Sequence, residues 1–201
     1  TAELPTWGEI STTGDYYIDG LWYEPLGYIA DGSLNTSTTD AVPTMTSNTA
    51  PSGVASASTT TTGYDSYKAF DGISNRWAST TMPAWLEYSF DNAKVINKYT
   101  LLCSTITAGE SPKNWTIEGS NDGSSWDILD TRVNIAENMS TIDTYTFTND
   151  TKYKYYRINI SASNGSTLVS IQELEFIEAE ADSANMVPYT NQFTYLSNKG
   201  K

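Results

Sequence analysis

An all-β sandwich or jelly roll is the fold this sequence predicts, and three observations predict it. Several short segments alternate apolar and polar residues with the two-residue period of a strand that buries one face. Clusters of Gly, Asn, Asp, Ser and Thr punctuate the chain at the spacing expected between short strands. No stretch carries a convincing helical period, and no internal repeat is present.

The element around which the others arrange themselves is Ser111–Trp126, SPKNWTIEGSNDGSSW. Trp115 and Ile117 alternate with Thr116 and Glu118, Asn121-Asp122-Gly123 supplies residues tolerant of positive φ for a tight primed turn, and Trp126 and Ile128 restart the alternation. This predicts a hairpin with large apolar residues on one face. Residues 1–43 read differently. Trp7, Tyr16, Tyr17, Trp22, Tyr23 and Tyr28 are split by glycines, and so much aromatic surface must pack on the main domain, a second copy or a partner. An attachment or oligomerisation arm is expected there, with Ser33–Asp40 as its hinge.

Residues 44–63 suit an edge strand and loop, with Val54 as the main apolar anchor. Ala69 and Phe70 plug a core while Asp71-Gly72 turns the chain. Leu86, Tyr88 and Phe90 face inward from the next strand, followed by a strand over 95–103 that puts Cys103 on the apolar side. Strands are expected over Ile142–Phe147, over Tyr153–Ile160 with Tyr156, Ile158 and Ile160 inward, and over Leu168–Ile177 with Leu174 and Phe176 inward. A tail, residues 181–201, follows.

Charge narrows the partners. The chain carries 11 Lys+Arg against 24 Asp+Glu, a net charge of −13, so a phosphate-rich nucleic acid or an anionic membrane surface is not the expected partner. No apolar run has the length of a membrane span. The single cysteine excludes an internal disulfide, and with no histidine in the chain to activate it, a buried structural thiol is expected. The sequence contains no nucleophile elbow, phosphate loop or His/Cys metal cluster, so a non-enzyme is expected. Thr1-Ala2 is the kind of small residue exposed when an initiator Met is trimmed, and synthesis in a cytoplasm is the expectation on that reading; a processed signal would leave the same start.

Six motifs in order, AFDG (Ala69–Gly72), Trp77, WLEYSF (Trp85–Phe90), SPKNWTIEGSNDGSSW, YYRINI (Tyr155–Ile160) and IQELEF (Ile171–Phe176), resemble the discoidin or coagulation-factor C-type domain and its galactose-binding-like carbohydrate-binding relatives. The resemblance covers residues 44–180. It implies an eight-stranded jelly-roll sandwich whose loops at one end bind a sugar, a lipid head group or a protein. The lead-in Met45–Ser58 is similar to the start of this domain in bacteriophage tail-fibre and other virion proteins.

The resemblance also implies candidate sites. A structural Ca²⁺ in the relatives matches Asp71 and Glu173 here, although Arg76 stands where a neutral ligand is expected, and an Arg76–Asp71 salt bridge is the alternative to the metal. Ala78 replaces the histidine of the galactose-binding relatives, and the loop Thr105–Asn114 lacks their arginine. Loop residues suited to sugar stacking and hydroxyl recognition are Tyr64, Asp65, Tyr67, Thr80, Thr81, Met82, Glu110 and Asn164, whereas Trp77, Trp85, Trp115 and Trp126 fall at core motif positions. The expected function is a non-catalytic module on a virion that binds host-surface glycan, joined as a homo-oligomer or docked through residues 1–43. The alternatives are a virion piece whose sandwich meets protein, and an extracellular accessory module of a secreted glycosidase.

Overall fold

The structure is a computed structural model. It describes residues 39–103, 107–139 and 141–179, and the backbone of two short strands, β1 (Tyr16–Ile18) and β2 (Leu21–Tyr23). By its contacts the chain forms two units, residues 35–179, and residues 1–34 with 180–201. In the latter, β1 and β2 pair antiparallel with Tyr16 opposite Tyr23. The attachment role expected for residues 1–43 and the expected tail fall outside the described residues, apart from these strands and 39–43.

Ten strands make the unit of residues 35–179: β3 (Val54–Ala57), β4 (Trp77–Ala78), β5 (Ala84–Lys94), β6 (Ile96–Leu102), β7 (Pro112–Ser120), β8 (Asp127–Arg132), β9 (Asp143–Thr146), β10 (Tyr153–Ser163), β11 (Ser170–Ile171) and β12 (Glu173–Glu178). A five-stranded sheet runs β3-β5-β10-β7-β8 and a three-stranded sheet runs β12-β6-β9; every pairing is antiparallel. These two layers are the eight strands expected of the jelly roll. A small β11-β4 pair closes one end.

The alternation read from the sequence is the reason the layers stick. Leu86, Tyr88, Phe90, Ile117, Tyr156, Ile158 and Ile160 point from the large sheet onto Tyr99, Leu101, Leu174 and Phe176 of the small one, and all are buried in one core. Each such side chain contributes about 1.5–3 kcal/mol when withdrawn from water. Aromatic rings bridge the layers: Tyr156 meets Phe176 at 5.7 Å, and the Trp115 indole donates to the Tyr99 hydroxyl at 2.9 Å. The Tyr99 hydroxyl in turn donates to Asp130 Oδ2 at 2.9 Å, which leaves neither buried polar group of the Trp115–Tyr99 pair unsatisfied.

Several expectations are corrected. Residues 40–43 belong to the sandwich: Asp40 bridges Ile177, and Val42 is buried. Val54 is 42% exposed and Ala55 takes the core position, because β3 pairs only along β5 and its outer face meets solvent. The anchor hairpin has a six-residue connection, Asn121–Trp126, in which only Gly123 has positive φ. Its backbone is captured by side chains instead, Ser124 and Ser125 N–H donating to Asp122 Oδ1 at 2.7 Å and Gly123 N–H to Ser120 Oγ at 2.9 Å. Ile128, next in the chain, is exposed at 65%, and Ile142, ahead of β9, is exposed at 59%. Trp85 and Trp126 also leave the core: both are half-buried, and Trp126 lies on the Arg157 guanidinium at 3.8 Å.

Candidate functional site

The β11-β4 pair knots the loops at one end of the sandwich together. Ser79 N–H donates to Val169 O at 2.9 Å and Val169 N–H to Ser79 Oγ at 3.0 Å. From the other side, Thr61 N–H donates to Ala78 O at 2.8 Å, Thr61 Oγ1 to Ser79 O at 2.8 Å, and Thr80 N–H to Thr59 Oγ1 at 3.1 Å. The loop leading into β7 joins through Ser170 N–H, which donates to Glu110 O at 3.0 Å. Backbone groups that no sheet can satisfy are thus paired between loops, and the rim they form is held by the core beneath it.

A charged cluster occupies this rim. Arg76 Nη1 lies 3.6 Å from Glu110 Oε2, both side chains only about a tenth exposed. The Glu110 carboxylate also accepts from Ser170 Oγ at 2.7 Å, and the Arg76 guanidinium stacks over the Tyr64 ring at 4.8 Å. Tyr64 in turn accepts from Ala78 N–H at its carbonyl, 3.4 Å away. An aromatic ring, a cation and a carboxylate are so placed side by side in fixed orientation.

The loop bearing Glu110 is clamped from two directions. Glu137 Oε1 accepts from Gly109 N–H at 2.7 Å and from Ser111 Oγ at 2.9 Å. Asn164 Nδ2 donates to Ser111 Oγ and to Pro112 O, each at 3.1 Å. Gly109 has φ +86 and approaches the backbone of Gly165 and Ser166, which a side chain at that position would strain.

The loop residues singled out in the sequence therefore separate. Thr80 and Thr81 are exposed on the rim, and Tyr64, Asp65, Tyr67, Met82 and Asn164 are half-buried. Tyr67 and Met82 pack against the core, and Asp65 faces Lys68 at 3.9 Å. Glu110, expected as a loop residue for ligand contact, is buried beside Arg76 because its carboxylate needs the guanidinium and Ser170 to leave water. Asn164 likewise spends its amide on the loop. Arg76, Ser170 and Glu137 were not legible as rim residues; Glu137 lies 28 positions from the glycine it holds, and no local pattern marks it.

The Asp71 turn is a second cluster. Asp71 accepts from Ile73 N–H at 3.1 Å and from Asn75 Nδ2 at 2.7 Å, and both Glu173 oxygens accept from Gly72 N–H at 3.2 Å. The expected Arg76–Asp71 bridge is not formed, since Arg76 turns to Glu110. Burial pushes the Glu173 carboxyl up to about 8, with Asp71, Asp40 and Glu175 adding repulsion against the hydrogen bond from Gly72. Two carboxylates brought together around one turn are the hard oxygen donors a Ca²⁺ takes. Among the described residues no third Asp, Glu, His or Cys completes a set of three, so any further ligands are backbone or side-chain carbonyls and water. Cys103 sits apart from both clusters, buried, its thiol pushed up to about 12 by burial and by Asp143 and Glu137. A thiol so held is inert.

Residues 54–174 match the family model of the F5/8 type C domain. No match is found among curated proteins. Among solved structures, the chain resembles a mutant of chitosan-binding module 1 from a chitosanase/glucanase of Paenibacillus sp. IK-5, at 28% identity and TM-score 0.54 over 65% of this chain and 98% of that one. It also resembles a family 32 carbohydrate-binding module of Clostridium perfringens in complex with GalNAc-β-1,3-galactose, at 19% identity and TM-score 0.55 over 62% of this chain and 94% of that one. The family 32 module of NanJ from the same organism, in complex with galactose, aligns at 18% identity and TM-score 0.56 over 63% of this chain and 93% of that one. The family model spans more than half of the sequence, the motifs that carry the resemblance sit where the sandwich needs them, and the chain belongs to the F5/8 type C domain family.

Proposed function

We propose that this protein is a non-catalytic carbohydrate-binding module whose rim takes a glycan rich in amino sugars. The observation that carries the proposal is the Tyr64–Arg76–Glu110 cluster, a ring beside a fixed ion pair at the loop end, bordered by the exposed hydroxyls of Thr80 and Thr81. Sugar recognition needs an apolar ring face and a few oriented polar groups; Arg76 lies over one face of Tyr64, and the opposite face with the neighbouring polar groups is what the rim offers a sugar. An acidic chain of net charge −13 favours a cationic polymer over an anionic one, and the 28%-identical relative is named as a chitosan-binding module. The lack of any histidine, and the ion pair that occupies Glu110, favour binding over catalysis. Calorimetric titration with chitotriose, galactose and a mannuronate oligosaccharide tests the reading. Binding of chitotriose with Kd on the order of 0.1–1 mM, lost in a folded Arg76→Ala variant, is expected; indifference to every sugar sinks it.

The setting we infer is a virion, where the residues ahead of the sandwich gather several copies and multivalency offsets a weak single site. The lead-in Met45–Ser58 supports this through its similarity to virion proteins. Purified particles that carry the protein and lose host adsorption when it is deleted are the expected result. Particles that adsorb normally but fail to assemble would favour a protein-contacting role instead. A structural Ca²⁺ at Asp71 and Glu173 belongs to the same reading.

A further inference from the structure

We propose that the glycan site continues off the rim onto the outer face of the five-stranded sheet, where Trp85 is the stacking platform for a further sugar ring. The proposal rests on the rim reading above and specifies its ligand as an extended oligosaccharide. Trp85 is the second residue of β5, directly after the Thr80–Pro83 segment of the rim, and Leu86 beside it is buried inward, so the indole stands on the outer face. It is joined to the rim through bonds already in place. The Trp85 backbone N–H donates to Ser58 Oγ at 3.0 Å, Ser58 N–H donates to Trp85 O at 3.0 Å, and the next residue, Thr59, accepts from Thr80 N–H at its Oγ1.

What surrounds the indole is what a sugar asks for. Asn159 stands opposite it on β10, and Ser56 and Glu87 follow in the neighbouring row, with a hydrogen bond between them at 3.2 Å. No apolar side chain appears at these cross-strand positions to cover the ring. Trp126, the other tryptophan on this face, differs: its ring is taken by Arg157 at 3.8 Å, and Arg157 is locked by Glu118, which also accepts from Asn159 at 2.9 Å. The network pins the polar groups next to Trp85, and the Trp85 ring has no ring or cation partner among the described residues. A half-buried indole bordered by hydroxyl, amide and carboxylate groups, and continuous with the rim, offers an apolar plane with hydrogen-bonding edges.

The test compares chitotriose with chitohexaose on the full chain by calorimetry, for the wild type, Trp85→Ala, Trp85→Tyr and Arg76→Ala, each checked for its melting temperature. The wild type is expected to bind the hexamer about five- to tenfold more tightly than the trimer, the gain one stacked ring supplies. Trp85→Ala removes that gain and leaves trimer affinity within about twofold, while Trp85→Tyr, which keeps a ring, retains most of it. Equal affinities for the two sugars in the wild type overturn the extension and leave the rim intact. A hexamer gain that survives in Trp85→Ala, or a trimer affinity that falls as far as the hexamer's, overturns it also. A wild type that binds neither sugar removes the rim reading, and this one with it.

Discussion

Arg76 holds the Glu110 carboxylate at 3.6 Å while its guanidinium covers the Tyr64 ring at 4.8 Å, so one side chain ties a loop before β4 to the loop before β7. Breaking a buried pair by removing one partner leaves an uncompensated charge. Arg76→Ala is expected to cost about 3 kcal/mol in urea unfolding, and Glu110→Gln less, because Ser170 still has an oxygen to donate to. Replacing both, as Arg76→Met with Glu110→Leu, should recover most of the stability and none of the sugar binding. Equal binding by the double variant would remove the pair from the site.

Glu137 acts on that site only through the loop it holds. Glu137→Ala removes the acceptor for Gly109 N–H and Ser111 Oγ and should cost about 1–2 kcal/mol. The hydrogen-exchange protection of the Gly109 amide should fall with it, and chitotriose affinity should drop several-fold. Glu137→Gln, which keeps a carbonyl oxygen, restores the protection. A Gly109 amide equally protected in the alanine variant would show that the clamp contributes nothing.

Asp40 makes stability depend on pH. Burial, with Glu175 adding repulsion, pushes its carboxyl from 3.8 up to about 7 despite hydrogen bonds from Val42 and Phe176 N–H. The folded state therefore holds a proton that the unfolded chain has already released between those values. Stability from this group is full below the unfolded value and falls as pH rises through the folded one. Asp40→Asn should match the wild type near pH 4 and exceed it near pH 8, by on the order of 2 kcal/mol. A wild-type melting temperature that rises between pH 5 and 8, with no gain in the variant, contradicts the assignment.

Calcium at the Asp71 turn is the fourth expectation. An ion that binds only the folded state at 100 times its Kd adds about 2.7 kcal/mol, so chelation should lower the melting temperature by several degrees. Asp71→Asn should abolish the response, and by relieving repulsion on Glu173 it should stabilise the metal-free protein at alkaline pH. An unchanged melting curve with and without chelator sets the metal aside.

The two layers are legible in the residue pattern alone. Alternation in Trp85–Phe90 and Tyr155–Ile160 dictates which side chains go inward, because a strand's period of two sorts its residues between faces whatever it pairs with. It also determined that Cys103 is buried and that the family motifs fall in order. The partners of the loop residues, by contrast, depend on how the sheets close. Asn121-Asp122-Gly123 promises a two-residue turn, but Ser120 and Asp122 side chains outcompete it and open the loop, which leaves Ile128 in solvent and lays Trp126 on Arg157. Gly119 is an ordinary strand glycine in sequence, yet a Cβ there would lie 2.6 Å from the Tyr153 ring. Arg76 had Asp71 five residues away and pairs instead with Glu110, a residue brought close only by the β11-β4 closure. Local periodicity fixes direction within a strand, whereas a rim is assembled from loops whose neighbours are set by how the sheets close, and that information is spread over the whole domain.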